Sequence, residues 1–342
     1  MTETLRLAIP STGALEQGAV RLLAESDAAV SRVNSRRYTA EIPSIPGIEV
    51  IYQRQSDITT IVDSGNADLG VVGLDRYLEA RLEDGETLVV APDLEYGHSR
   101  LVIAVPDSWL DITSMYDLAD MSLELHERGR DLRVATKYPR LVKRFLNRRG
   151  INYFSMVAIN GALEAAPRIG YADIIADISD TGNTLRENNL RTLVDGVAIE
   201  SQAILVGNGR LLAGSKAKLD LTRLLLERIE ARLRSRSYLR VTANVKGSSE
   251  TEIAGLVLRS PELSGMRGPT VSKVFTNDGN HWFAVQIVTR KRDVLRVVDH
   301  LRALGGTGTS VTDIQFLYQS ECELYRKLVE NLGSSAMGTN PC

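Results

Sequence analysis

The feature that most limits how this chain can fold is an alternation of short apolar runs with helical patterns over its first two hundred residues. Leu5–Ile9, Ile48–Tyr52, Leu69–Val72 and Leu88–Val90 read as strands. Ala14–Glu25 and Ser56–Ser64 read as helices, with Ser56 placed to cap the second. Strands separated by helices build a mostly parallel α/β sheet. Arg100–Val105, Leu132–Ala135, Asp173–Ala176 and Gln202–Val206 read as further strands and Pro139–Arg149 as a basic helix. Alternation of this kind fits many doubly wound sheets.

With 342 residues and 43% hydrophobic content, the chain can bury cores in two or three domains. A net charge of −2 argues against a sequence-independent nucleic-acid surface. Cys322 and Cys342 lie near the C-terminus and make neither a metal cluster nor a disulfide framework. His98, His126, His281 and His300 are scattered without metal-ligand spacing, as surface or capping histidines are. No apolar stretch approaches the roughly 18 residues of a membrane span, and the N-terminus lacks a charged-then-apolar signal. The expectation is a cytoplasmic protein with no membrane and no nucleic-acid partner.

Chemistry concentrates between Glu164 and Leu185, EAAPRIGYADIIADISDTGNTL. The strand Ala172–Ala176 runs into Asp177, then into the small polar loop Ser179-Asp180-Thr181-Gly182-Asn183-Thr184, and Leu185 onward reads as a helix. Unpaired N–H groups at a helix start, two hydroxyls and a glycine that lets the backbone close on a ligand make a phosphate cradle without a Walker lysine. Loops of this composition are also ordinary turns and N-caps, and both readings stand on local physics. Asp177, at the carboxyl end of its strand, is where ligands bind in open α/β sheets. A carboxylate there suits the hydroxyls of a sugar attached to the phosphate, which points to a ribose-5-phosphate group.

The spacing of Glu164, Gly170, Ala172, Ile175, Asp177, Ile178, Thr181, Gly182, Thr184 and Leu185 resembles the signature of the ATP phosphoribosyltransferase family, which opens histidine biosynthesis. Leu5–Pro10, Arg54–Ile58, Ala67–Asp75, Arg100–Pro106 and Arg133–Pro139 resemble its other motifs, so the likeness runs nearly the whole chain. It implies a two-lobed core of type II periplasmic-binding-protein architecture, and transfer of phosphoribose from phosphoribosyl pyrophosphate to N1 of ATP. Implied substrate contacts are Glu164, Asp177, Ser179, Asp180, Thr181, Gly182, Asn183 and Thr184. Arg54, Asp75 and Lys137 are the expected catalytic contacts, although a surface salt bridge for Arg54 and a helix cap for Asp75 serve equally well without the likeness. Mg²⁺ would be held mainly by substrate oxygens and water, with one carboxylate at most from the protein.

Beyond the amphipathic helix Leu219–Ser237, the strand-like Leu239–Val245, Ala284–Val288 and Val311–Leu317 and the helix-like Thr251–Leu258 and Lys291–Leu304 follow a β-α-β-β-α-β order, that of a ferredoxin-like (ACT-like) α+β domain. In the family this addition marks the long form, which implies a homo-oligomer, dimer to hexamer, with histidine as feedback inhibitor. Leu263–Ser272 resembles the regulatory motif, making Thr270 and Ser272 effector-binding candidates; a hairpin turn with a β-bulge is the alternative. The expected domains are 1–103 with 195–215 as lobe I, 104–194 as lobe II, 219–330 as the regulatory domain and 331–342 as a flexible tail. One departure stands out: Thr12 and Ala14 occupy positions where the family carries a lysine and an arginine. Lost cations would weaken charge stabilisation, so a catalytically weakened or non-catalytic binding homologue is the second reading. A solute-binding transport component, the third, fits the fold but not the missing export signal.

Overall fold

The computed structural model describes residues 3–34, 37–159, 162–180, 182–276 and 281–336. The chain divides into two compact units, one made of Met1–Ala24, Ala28–Arg223 and Lys327–Cys342, the other of Glu25–Asp27 and Leu224–Arg326. The first unit opens with β1 (Leu5–Pro10), α1 (Gly13–Glu25), β2 (Thr39–Glu41), β3 (Ile48–Gln53), α2 (Ile58–Asp63), β4 (Leu69–Gly73), α3 (Leu74–Ala80) and β5 (Thr87–Ala91). It continues through β6 (Ser99–Pro106), α4 (Met115–Glu127), β7 (Leu132–Thr136), α5 (Pro139–Arg148), β8 (Phe154–Val157), β9 (Ile174–Ser179), α6 (Asn183–Glu187) and β10 (Leu190–Ser201). Then come β11 (Ala203–Asn208), α7 (Gly209–Ala213) and α8 (Lys216–Ser235), which begins in the first unit and ends in the second.

These strands form two sheets and hence two lobes. The first sheet has the order β2-β3-β1-β4-β11-β5 and the second β10-β6-β9-β7-β8. β3, β1 and β4 run parallel, and so do β9, β7 and β8, while β11 and β6 lie antiparallel to their neighbours. Central strands carry the apolar runs: all five residues of β4 and all six of β11 are buried, as strands covered on both faces must be. Lobe I packs Ile58, Val62, Val72, Ile204 and Val206 together, and lobe II packs Leu101, Ile103, Leu118, Val134, Val142 and Ile174. The expected lobe divisions at 103 and 195 fall inside β6 and β10. The chain passes between the sheets instead in residues 92–98 and at Gln202, because both strands belong to the second sheet and pair with each other at both ends.

Ser56 does not cap α2. Its hydroxyl donates to Asp57 Oδ1 at 2.7 Å, and Asp57 holds the cap position without a side-chain bond to the helix. At α4 the cap is complete: Ser114 accepts from the Asp117 N–H, and the Asp117 carboxylate accepts from the Ser114 backbone.

The second unit contains β12 (Tyr238–Lys246), α9 (Glu250–Val257), β13 (Thr270–Val274), β14 (Trp282–Arg290), α10 (Val294–Ala303) and β15 (Thr307–Asp313). α11 (Glu323–Ala336) begins in it and ends in the first unit. Its sheet, in the order β13-β14-β12-β15, is antiparallel throughout, the order of a ferredoxin-like domain. Burial alternates along β12 and β14, and Val241, Ala243, Val245, Phe283, Val285 and Ile287 pack with Ile253 of α9 and Val297 of α10. The last strand starts earlier than Val311–Leu317, because the exposed Thr307–Ser310 segment pairs through its backbone with β12. α11 also occupies 331–336 of the span expected to be a flexible tail, and 337–342 lie outside the described residues.

Tyr96, in the segment between the lobe sheets, packs on α1 at Gly18, where an added Cβ would stand 2.2 Å from Tyr96 Cδ2. Gly18→Ala should therefore destabilise the first unit by about 1–3 kcal/mol through overpacking. Denaturant unfolding measures this, and an unchanged midpoint would show that the ring moves aside freely.

Candidate active site

The carboxyl ends of β1, β3 and β4 lie on one edge of the first sheet, because these strands are parallel and adjacent. Ser11 N–H donates to the Gln53 carbonyl at 2.8 Å, joining the β1 and β3 exits. At the end of β4 a Cβ on Gly73 would meet Asp75 Oδ1 at 2.4 Å and Gln55 Nε2 at 3.2 Å, so the turn after β3 lies against the start of α3. Arg54, in that turn, is exposed.

Asp75 is 5% exposed, and both its oxygens are engaged within the protein. Ser201 Oγ donates to Oδ1 at 2.7 Å, and the Tyr138 hydroxyl donates to Oδ2 at 2.6 Å. Asp75 N–H in turn donates to Ser201 Oγ at 3.1 Å. Asp75, expected as a catalytic contact, is tied from α3 to Tyr138 and Ser201 of the second sheet's strands and loops. One turn on, Glu79 accepts from the N–H groups of Arg140 and Leu141, each at 2.9 Å. A carboxylate of lobe I therefore caps α5 of lobe II, where the helix dipole favours an anion. Between these ties the Arg76 guanidinium lies 4.2 Å from the centre of the Tyr138 ring and donates to the Lys137 carbonyl at 3.4 Å. Burial and the neighbouring Asp75 raise the Tyr138 pKa, so its hydroxyl stays a donor.

On lobe II, Thr136 is in register with Ala176, so Lys137, just past the end of β7, lies beside Asp177 on the parallel neighbour β9. Asp177 is half-buried, and its Oδ1 accepts from the Ile178 N–H at 2.9 Å. Its pKa is raised by burial and by Glu164, against the lowering pull of the Ile178 N–H, Lys137 and Arg76. The structure thus brings Lys137, Glu164 and Asp177 together. Ser179 ends β9 half-buried, Asp180 is exposed just after it, and Asn183 and Thr184 are exposed in the first turn of α6. Thr181 lies outside the described residues. Gly182 adopts φ +74°, a left-handed conformation that favours glycine, and starts α6. Arg186 reaches back to Asn183 Oδ1. Thr270 and Ser272 belong to the other unit: both are exposed on β13, in register with Gln286 and Ala284.

Arg76, Glu79, Tyr138 and Ser201 escaped sequence reasoning. Nothing local marks them, since the Tyr138 and Ser201 bonds to Asp75 span 63 and 126 residues. Another groove, of about 660 Å³, opens beside β2 and β3 and is lined by Arg6, Arg37, Glu41 and Glu49, none of which belongs to the interlobe cluster.

The raised Asp177 pKa means that the folded chain holds this proton more tightly than the unfolded chain does. Ionising the carboxyl therefore removes stability as the pH rises from the unfolded value through the folded one. Asp177→Asn should match or exceed the wild-type Tm at neutral pH, with its advantage shrinking towards about pH 4. A fall of several degrees at neutral pH in scanning calorimetry would show instead that the charge stabilises the fold.

The profile of the family described as ATP phosphoribosyltransferase matches residues 54–231, and that of its C-terminal domain matches 235–316. ATP phosphoribosyltransferase 1, chloroplastic, from Arabidopsis thaliana is 38% identical over 337 residues, covering 97% of this chain and 82% of its own. An ATP phosphoribosyltransferase from Nitrobacter winogradskyi is 30% identical over 330 residues, covering 96% of this chain and 98% of its own. Among solved structures, the ATP phosphoribosyl transferase (HisG:HisZ) complex from Thermotoga maritima matches at 27% identity with a TM-score of 0.50, covering 66% of this chain and 96% of that one. With profiles covering both the core and the C-terminal unit, this chain belongs to the ATP phosphoribosyltransferase family.

Proposed function

We propose that this enzyme transfers the phosphoribosyl group of phosphoribosyl pyrophosphate to N1 of ATP, the first step of histidine biosynthesis. The observation that carries this reading is the grouping of Asp177, Glu164 and Lys137 at the carboxyl edge of β7 and β9, immediately before the loop around Gly182. Backbone N–H groups and the Thr184 hydroxyl of that loop hold the 5′-phosphate, and Asp177 and Glu164 accept from the ribose hydroxyls. Lys137 faces the anionic groups, and Arg54 contacts ATP. As N1 donates its lone pair to C1, the C1–O bond breaks and pyrophosphate departs with that electron pair. Such a transfer needs alignment and charge stabilisation, and no covalent nucleophile.

Among the described residues no group of three or more His, Cys, Asp or Glu is arranged to hold a metal ion by itself. Glu164 and Asp177 repel one another, a pair suited to a Mg²⁺ whose other ligands are pyrophosphate oxygens and water. Such an ion, when bound, supplies charge neutralisation on the leaving group. No described helix is long and apolar enough to cross a membrane. Histidine acts as feedback inhibitor on the C-terminal unit, near Thr270 and Ser272 on the exposed β13, within a homo-oligomer of two to six chains.

Pyrophosphate release that depends on both ATP and phosphoribosyl pyrophosphate tests the reaction. Its absence would favour the weakened or non-catalytic homologue anticipated from Thr12 and Ala14. Thr184→Val removes one hydrogen bond to a charged group, about 1.5–3 kcal/mol, and should weaken phosphoribosyl pyrophosphate binding roughly tenfold or more. An unchanged Kd by calorimetry removes Thr184 from the site. Thr270→Ala and Ser272→Ala should raise the histidine concentration needed for half inhibition several-fold, with uninhibited turnover near wild type; undiminished inhibition in both would move the effector elsewhere.

A further inference from the structure

The turn at the carboxyl end of β1, Ser11-Thr12-Gly13-Ala14, carries no cation. The cluster nevertheless holds three carboxylates, Asp75, Glu164 and Asp177, and would receive polyanionic substrates. Positive charge must therefore come from elsewhere on the rim. Arg54 and Lys137 are exposed, whereas Arg76 is half-buried and held in place by lobe II. Its guanidinium stacks 4.2 Å over the Tyr138 ring, itself fixed by the bond to Asp75, and one of its N–H groups donates to the Lys137 carbonyl. A guanidinium has five N–H donors in a planar fork, and no ion pair between Arg76 and a carboxylate occurs among the described residues. An oriented, partly desolvated fork with donors to spare suits a phosphate better than a mobile surface lysine does.

We propose that Arg76 binds the diphosphate group of the substrate directly and supplies the positive charge that the neutral turn after β1 does not. This inference rests on the transfer reaction proposed above and adds to it a residue on α3, outside the phosphate loop. The positive charge of Arg76 acts on Asp177 as that of Lys137 does, so both cations bear on the same side of the cluster.

The test uses the full chain, with inorganic pyrophosphate as the probe in calorimetry and ATP plus phosphoribosyl pyrophosphate as substrates in kinetics. Arg76→Leu should weaken pyrophosphate binding and lower kcat/KM by about tenfold to a hundredfold, with Tm near wild type. Arg76→Lys, which keeps the charge and loses the fork, should fall between. Arg128→Leu, which removes an exposed arginine of α4 paired with Glu124, should match wild type. Unchanged pyrophosphate affinity in Arg76→Leu overturns the proposal. So does an equal loss in the Leu and Lys variants accompanied by a lowered Tm, which would mark Arg76 as a packing residue, and so does absence of pyrophosphate binding by the unaltered chain. A chain that binds pyrophosphate through Arg76 yet releases none from the two substrates would defeat the transfer reading alone.

Discussion

The two-lobed core depends on one buried carboxylate. Asp75 leaves the end of β4 in lobe I and is satisfied by Tyr138, from the turn after β7, and by Ser201, the last residue of β10. An ionised carboxyl taken out of water without partners costs several kcal/mol, whereas hydrogen bonds to a charged acceptor contribute about 1.5–3 kcal/mol each. The arrangement is therefore stable only while lobe II presents both hydroxyls to the carboxylate of lobe I. Glu79 adds a second tie by filling the N-terminus of α5. Together they set the spacing of α3 and α5, and with it the positions of Arg76 and Lys137 on the rim.

That tie also decides where an anion can sit. Ten-residue α5 would otherwise offer its free N–H groups and dipole to a phosphate, but Glu79 already occupies them. A polar site on lobe II is the end of β9, where Asp177 lies near the carboxyl edge of the sheet and the left-handed Gly182 follows it, the place where open α/β sheets bind ligands. Asp177 pays for its position with a raised pKa, a strain that positive charge from Lys137 and Arg76 partly offsets. Local destabilisation of this kind is common where a group is held ready for a ligand rather than for the fold.

The C-terminal unit follows a simpler rule. α9 and α10 cover one face of a four-stranded antiparallel sheet, and the alternating burial of β12 and β14 records which face that is. Thr270 and Ser272, in register with the half-buried Gln286 and Ala284, face away from that core. Small polar groups on an uncovered sheet face can meet a small ligand or a neighbouring chain without disturbing the packing beneath.

Much of this architecture was legible in the sequence, because buried strands must be continuous apolar runs and central strands must be buried. β1, β3 and β4 were each read to within a residue, and both helices and three of the four strands of the C-terminal unit, all but β13, followed from periodicity. Edge strands were harder: β13 and β15 are largely exposed, rich in Thr and Ser, and are held by backbone pairing that side chains do not announce. The lobe divisions were displaced for the same reason, since β6 and β10 are held in the second sheet by backbone pairing at both ends. Glycine at 182 was predictable as a loop residue, and its φ of +74° is the backbone reason for it. What tertiary structure alone decided is which charged groups are sealed and which remain open. Asp75 reads in sequence like any carboxylate after a strand, yet partners 63 and 126 residues away bury it. Arg76 reads like a surface arginine, yet the ring of Tyr138 orients it. Burial and orientation depend on contacts between lobes, and linear spacing carries no information about a neighbour that only folding supplies.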